Sequence, residues 1–423
     1  MRIKCIPKDQ IPVQLEDDTV YFSLYSSVPR ASNHLGHIAP GWFRFLRHER
    51  IKPSIAALDF ATLAFAAVAA DESVSRRSSA DGWTRTFDLT VALINPEPWS
   101  PILNEIQNTL HFLSGDYWNI TVVAGGHEPQ FMYASKTVEA DCVCLLSGGT
   151  DSLIGAIDLI AQGHSPILVS RTVRGDCAAQ RTIAQNLCAS SKHYQWGCTI
   201  NKPYGMSEPS TRARSLVFFA FAVAVASIFP LAEKPVPIIV PENGFISISI
   251  PLSSSRIGSL STKTTHPVYM NGIQHIINSI GINAQLELPY RFKTKGEMIV
   301  ECQNPELLKN LINTSISCGK YRRHKYTHCG VCVPCLVRRA AYLHANIIDE
   351  TVRGYELTPS QYVIPEDTMA AACAVLRFRE YGVRDLTSGL LTFASLDERL
   401  AYEYVFKRGL MEIEQLLEEY DVI

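Results

Sequence analysis

The run Asp141-Cys-Val-Cys-Leu-Leu146, Ser147-Gly-Gly-Thr-Asp-Ser152, Leu153-Ile-Gly-Ala-Ile-Asp-Leu-Ile160 decides how this chain is read. Cys142 to Leu146 is a short apolar run that predicts a buried strand, Ser147 to Ser152 a tight turn, and the residues beyond it a helix that begins within the turn. Gly148 and Gly149 let the backbone curl so that successive N–H groups face one concavity, and without Cβ atoms they admit an anion closely. Ser147, Thr150 and Ser152 add hydroxyl donors, and the helix N-terminus adds its partial positive charge. Such a nest suits phosphate or pyrophosphate. Asp151 belongs there only if a cation such as Mg²⁺ separates it from the phosphate oxygens. The loop is not Gly-x-x-x-x-Gly-Lys followed by Ser or Thr, so a Walker-type site is excluded.

Downstream of the loop, strand and helix signals alternate as in an α/β, doubly wound parallel sheet, here assigned to a domain over 136–350. Pro166–Arg171 reads as a strand, Cys177–Ser190 as a helix, Trp196–Ile200 as a short strand, Arg212–Phe229 as a long apolar helix and Pro237–Val240 as a fourth strand. Ligands of such sheets bind beyond the C-terminal ends of the strands. That rule gathers Ser147–Ser152, Ser170 and Arg171, and Glu242-Asn243-Gly244 around one crevice, with ATP over the first turn and its adenine toward the Ser170 strand end. The Ser/Thr-rich stretch from Ser253 to Pro267 follows a strand directly. Within it Arg256, Lys263, Thr262 and His266 are candidate phosphate or substrate contacts, since cations stabilise charge developing at phosphorus. Arg212 and Arg214, before the apolar helix, are similar candidates.

Residues 1–135 read as an α+β accessory domain with strands near Thr19–Tyr25, Trp83–Ile94 and Trp118–Ala124 and helices near Ile55–Ala70 and Pro98–Leu113. Arg76–Asp81 reads as a polar loop and Gly125–Pro129 as a linker. Residues 351–423 read as a helical extension. Its segment Asp397–Tyr420 is amphipathic, with Glu412, Glu414, Glu418 and Glu419 expected to face outward.

Twelve cysteines and no charged-then-apolar segment at the start favour a cytoplasmic protein whose clustered cysteines bind metal. The cluster is Cys318-x10-Cys329-Gly-Val-Cys332-Val-Pro-Cys335. Four thiolates in tetrahedral geometry suit structural Zn²⁺, with an iron–sulfur centre as the rival. His324 and His328 are alternative ligands, either able to replace Cys318. The basic residues Lys320–Lys325 with Arg338 and Arg339 form one dense patch that could face ATP phosphates, RNA or an acidic partner. A formal charge of −2 over 423 residues argues against wholesale nucleic-acid binding. The longest apolar stretch, Leu216 to Phe229, is too short to span a bilayer, so no membrane partner is expected.

Together, the Ser-Gly-Gly-Thr-Asp-Ser loop and the cysteine cluster resemble the 7-cyano-7-deazaguanine synthase (QueC-like) family of N-type ATP pyrophosphatases, over roughly residues 140 to 345. The resemblance implies cleavage of ATP between the α- and β-phosphates to adenylate the carboxylate of 7-carboxy-7-deazaguanine, followed by attack of an amine. It places pyrophosphate and Mg²⁺ on Ser147, Gly148, Gly149, Thr150, Asp151 and Ser152, and Zn²⁺ on Cys318, Cys329, Cys332 and Cys335. The added N- and C-terminal regions look more like the QueC-like members found in anti-phage defence islands. Those are thought to join the deazaguanine to a partner protein's N-terminus. Two alternatives remain at this point: a nitrile synthase using ammonia, and a tRNA-modifying enzyme that adenylates a base.

Overall fold

A computed structural model of the chain describes residues 1–423 except 30–32, 133–135, 137–138, 231–232, 253–262, 352–353 and 360–363. The strands, in chain order, are β1 Arg2–Pro7, β2 Thr19–Leu24, β3 Leu35–Ile38, β4 Thr86–Leu93, β5 Tyr117–Ala124, β6 Cys142–Leu145, β7 Pro166–Arg171, β8 His193–Trp196, β9 Ile200–Asn201, β10 Val236–Ile239 and β11 Ala284–Glu287. They form two sheets with the orders β5-β4-β1-β2-β3-β9 and β11-β10-β6-β7-β8. The second sheet is parallel throughout, and the first is parallel except for β9, which runs antiparallel along β3.

Leaving β9 aside, the two sheets have the same plan: the first strand of each lies centrally, with the next two on one side and the last two on the other. The expected α+β character of residues 1–135 is therefore corrected to α/β. Parallel neighbours need long crossovers, and the Ile55–Ser73 and Leu103–Ser114 helices supply them before β4 and β5. Strand β1 alternates exposed or half-buried residues with buried ones, so its charged Arg2 and Lys4 mask a core-facing Ile3 and Cys5.

The sheets are joined by packing. The apolar Ile55–Ser73 helix, started by Ser54 Oγ accepting Ala57 N–H at 3.3 Å, lies against the Leu216–Ala226 helix. One continuous core runs from Ile3 to Leu286. At its centre Trp42 of the N-terminal half sits 5.2 Å from Trp196 and 5.0 Å from Phe221 of the second.

A buried ionic network reinforces this seam. Arg85 Nη2 lies 2.6 Å from both Asp71 Oδ1 and Asp116 Oδ2, and Arg76 Nη1 is 2.9 Å from Asp116 Oδ1. Asp71 Oδ2 also accepts the Arg212 and Ala213 N–H groups at 2.6 and 2.7 Å. Arg76, expected in a polar loop, is thus internal, because the Asp71 and Asp116 carboxylates from other segments converge on it. Asp116→Ala is expected to destabilise the protein by about 3–5 kcal/mol in urea denaturation, since two buried guanidinium groups are left to share the single carboxylate of Asp71. Asp18→Ala, which removes the exposed pair with Arg2 and a hydrogen bond from a Thr19 hydroxyl that also reaches Glu16, should cost less than about 1 kcal/mol.

The C-terminal helices Glu366–Tyr381, Val383–Thr387 and Leu396–Glu419 pack on the Val333–His344 helix around Leu336, Val375, Leu410 and Leu417. Among the described residues, no helix is long and apolar enough to cross a membrane.

Candidate nucleotide site and metal centre

In the second sheet the strand order reverses between β6 and β10, and the turns that follow these two strands meet there. After β6, Gly148 takes φ of 90°, which L side chains rarely adopt. The turn is braced by its own hydroxyls: Ser152 Oγ accepts Gly148 N–H at 3.2 Å, and Ser147 Oγ accepts Gly149 N–H at 3.2 Å. The Thr150–Ala161 helix then starts with no side-chain cap, leaving its first-turn N–H groups directed at the concavity. Ser147 is exposed at the rim, while Thr150, Asp151 and Ser152 are buried.

Asp151 is where the structure adds most to the sequence. Its carboxylate pairs with the buried Lys295 ammonium and accepts from Asn243 through Nδ2 at 2.7 Å and the backbone N–H at 3.3 Å. Burial alone would raise its pKa. Lys295, Glu242 and Asn243 outweigh burial and hold it below the usual carboxylate value. Glu242 moves the other way, pushed well above its ordinary value by burial and then by the Asp151 charge.

Lys295 Nζ, Asn243 Nδ2 and the Asn243 backbone N–H thus occupy three of the roughly four lone-pair sites of the Asp151 carboxylate. Mg²⁺ takes oxygen ligands at about 2.0–2.1 Å in octahedral array, so a Mg²⁺ ion on Asp151 would compete with Lys295 for its carboxylate. In this structure Asp151 serves as the counter-ion of Lys295.

Lys295 escaped the sequence reading. A local signal was present, because Thr294-Lys-Gly-Glu297 is a capping box, realised here by Glu297 N–H on Thr294 Oγ1 at 3.1 Å and Thr294 N–H on Glu297 Oε2 at 2.8 Å. It marks Lys295 as the first residue of a helix but says nothing of what the lysine faces. Gln180 was missed too. Its Nε2 bridges Ser147 O at 3.0 Å and Arg171 O at 3.2 Å, tying the turns after β6 and β7 together.

Other expected contacts are placed elsewhere. Ser170 is fully buried, donating to Leu146 O at 2.6 Å and meeting His193 Nε2 at 2.8 Å, so it braces the strand ends. Arg171 donates to Arg214 O at 2.9 Å, while Arg214 itself is exposed. Lys263 lies over the Phe112 ring at 4.2 Å, and His266 caps the Pro267–Ser279 helix between Phe112 and Phe393. None of these contacts reaches the Ser147–Ser152 turn, whereas Lys295 meets it at Asp151. Arg256 and Thr262 lie outside the described residues. A small apolar cavity of about 30 Å³, lined by Phe60, Leu63, Trp99, Leu110, Leu216 and Ile273, lies apart from the turn and has room for about one water.

The metal centre is as the spacing foresaw: Cys318, Cys329, Cys332 and Cys335 are buried with their sulfurs within 4.8 Å of one another. Cys318 Sγ lies 3.9 Å from Cys332 Sγ, and Cys329 Sγ lies 3.9 Å from Cys335 Sγ. A tetrahedral ion with metal–sulfur bonds of about 2.3 Å needs sulfurs roughly 3.8 Å apart, so the quartet fits such an ion. The histidine alternatives fall away. His328 Nε2 accepts Ser317 N–H at 3.3 Å and His324 pairs with Glu356 at 2.5 Å. Arg338 and Arg339 do not belong to a surface basic patch. Arg338 is fully buried against Ser315 O at 3.0 Å, and Arg339 lies 4.5 Å from each of the Tyr355 and Tyr420 rings.

Turn and metal centre are adjoining structures. Ile316 N–H donates to Gly148 O at 2.8 Å, and Thr150 Oγ1 bonds Ser315 Oγ at 2.9 Å and Ser317 Oγ at 3.3 Å. The segment that floors the turn thus runs directly into ligand Cys318. No family model matches this chain, and no curated protein matches it.

Proposed function

We propose that this chain uses ATP to activate a carboxylate as an acyl-adenylate and transfers the acyl group to an amine. The observation that carries the proposal is the Lys295–Asp151 pair set beside an uncapped helix N-terminus where the strand order reverses. In the first step a carboxylate oxygen attacks the α-phosphorus, the α–β phosphoanhydride bond breaks, and pyrophosphate leaves with the electron pair. Ser147 and the free N–H groups hold the phosphates, and Lys295 supplies positive charge as charge grows on the departing pyrophosphate. In the second step an amine nitrogen attacks the acyl carbon, AMP leaves, and the nitrogen loses a proton to solvent.

The resemblance of the turn and the cysteine quartet to the QueC-like family supports 7-carboxy-7-deazaguanine as the carboxylate and a partner protein's N-terminus as the amine. Zn²⁺ is the metal proposed for the quartet. Four sulfur ligands leave it no open position, so its role is structural.

Intact-mass spectrometry tests the reading. Proteins encoded beside this gene would be incubated with the enzyme, ATP and 7-carboxy-7-deazaguanine. A mass gain equal to the deazaguanine acyl group, dependent on ATP and accompanied by AMP, is the expected result. Conversion of the small molecule to amide or nitrile with no change in any protein would make the chain a nitrile synthase. Absence of AMP and pyrophosphate under all conditions would end the proposal.

A further inference from the structure

Lys295 does not hold its own position. It opens the short Lys295–Val300 helix, and the C-terminal Leu396–Glu419 helix grips the turn that carries it. Arg408 pairs with Glu297 and donates from Nη2 to Phe292 O at 2.8 Å and Glu297 Oε2 at 3.1 Å. One turn further along, Glu412 accepts the Thr294 hydroxyl hydrogen and the Gly296 N–H, the latter at 3.3 Å. The approach is so close that a Cβ at Gly296 would lie 2.5 Å from Glu412 Oε1. The same helix also touches the other support of Asp151. Phe406 stacks on Phe245 at 5.1 Å, two residues beyond Asn243.

Glu412 was expected to face solvent, yet it is 5 % exposed. A buried carboxylate is costly where an apolar side chain could pack, unless its lone pairs are used. Here they are used at the N-terminus of the lysine-bearing helix, where negative charge is favoured. We propose that the C-terminal helix is a positioning element of the nucleotide site, with Glu412 fixing the Thr294-Lys295-Gly296 turn and hence the direction in which the Lys295 ammonium points. This rests on the reading of the Ser147–Ser152 turn as a nucleotide site.

The charged and titratable groups facing Glu412 are Lys295 and Glu297 on the short helix, His344 at the end of the Val333–His344 helix, and Arg408 on its own helix. Burial, opposed by the Thr294 and Gly296 hydrogen bonds, brings Glu412 to about 7. When ionised, both its oxygens accept. When protonated, one acceptor becomes a donor facing another donor, and the grip loosens. Lys295 is therefore held best above about pH 7.

Calorimetric binding of α,β-methylene-ATP to the full chain tests the inference without a carboxylate substrate. Glu412→Gln, a near-isosteric mimic of the protonated state, should weaken binding about tenfold at roughly pH 8.5. It should also abolish the wild-type loss of affinity below about pH 7, with no fall in melting temperature. Arg408→Met attacks the same turn from its other side and should weaken binding similarly. Glu414→Gln, whose partner is Arg379, should match wild type. Unchanged affinity and pH profile in Glu412→Gln and Arg408→Met would overturn the inference and leave the nucleotide reading standing. Failure of the wild-type protein to bind α,β-methylene-ATP would overturn that reading, and the inference with it.

Discussion

Replacing Lys295 with methionine is expected to slow pyrophosphate release by about 10²–10³-fold, the usual effect of removing one charge-stabilising donor from a transition state. The same change leaves the buried Asp151 carboxylate without its cation, a loss of about 3–5 kcal/mol when one partner of a buried pair is removed. The two effects separate through pH. In the wild-type protein Asp151 titrates below its ordinary value, because Lys295 and its other donors outweigh burial. It therefore contributes stability that is present above the unfolded value of about 4 and is lost as pH falls through the depressed folded value. Without the lysine, burial dominates and the folded value rises above the unfolded one. The variant should then be relatively more stable in acid and lose stability as pH climbs through the raised value. Urea denaturation across about pH 2–8 should show the wild type losing this contribution below about pH 4 and the variant losing stability as pH rises above it, and parallel curves would contradict the pairing. Adding Asp151→Asn to Lys295→Met should recover stability without activity, because the buried charge is gone while the cation proposed to face the departing pyrophosphate is still missing.

Cys332→Ser should remove the metal, lower stability by more than about 4 kcal/mol and loosen the nucleotide turn. The metal's binding energy is folding energy for the residues it gathers. Those residues continue through Ser317 and Ile316 into the hydrogen bonds beneath Gly148 and Thr150. Metal analysis should give one zinc per wild-type chain and none in the variant, and two irons or more would establish an iron–sulfur centre instead. A chelator strong enough to strip the metal should reproduce the variant's weaker binding of α,β-methylene-ATP. A metal-free chain with an unchanged melting temperature and unchanged affinity would show that the quartet and the turn are independent.

The strand-turn-helix at 142–161 and the four-cysteine cluster were determined by the sequence itself. Each depends on short-range constraints: an apolar run of strand length, a glycine where φ turns positive, and thiols spaced to wrap one ion. The convergence of Ser147–Ser152 with Glu242 and Asn243 was also legible, since the rule for strand ends of parallel sheets carries it. What Asp151 faces was decided only by the tertiary structure. Lys295 lies 144 residues away, and a capping box announces a helix start without naming its neighbour. Amphipathic periodicity could not rank one glutamate against another in the last helix. Burial of Glu412 follows from where the Thr294–Gly296 turn docks, not from the spacing of apolar residues. The duplicated sheet plan and the burial of Arg76, Arg338 and Arg339 arise in the same way. A charged side chain becomes internal when partners from distant segments satisfy it, and those partners share no local pattern with it.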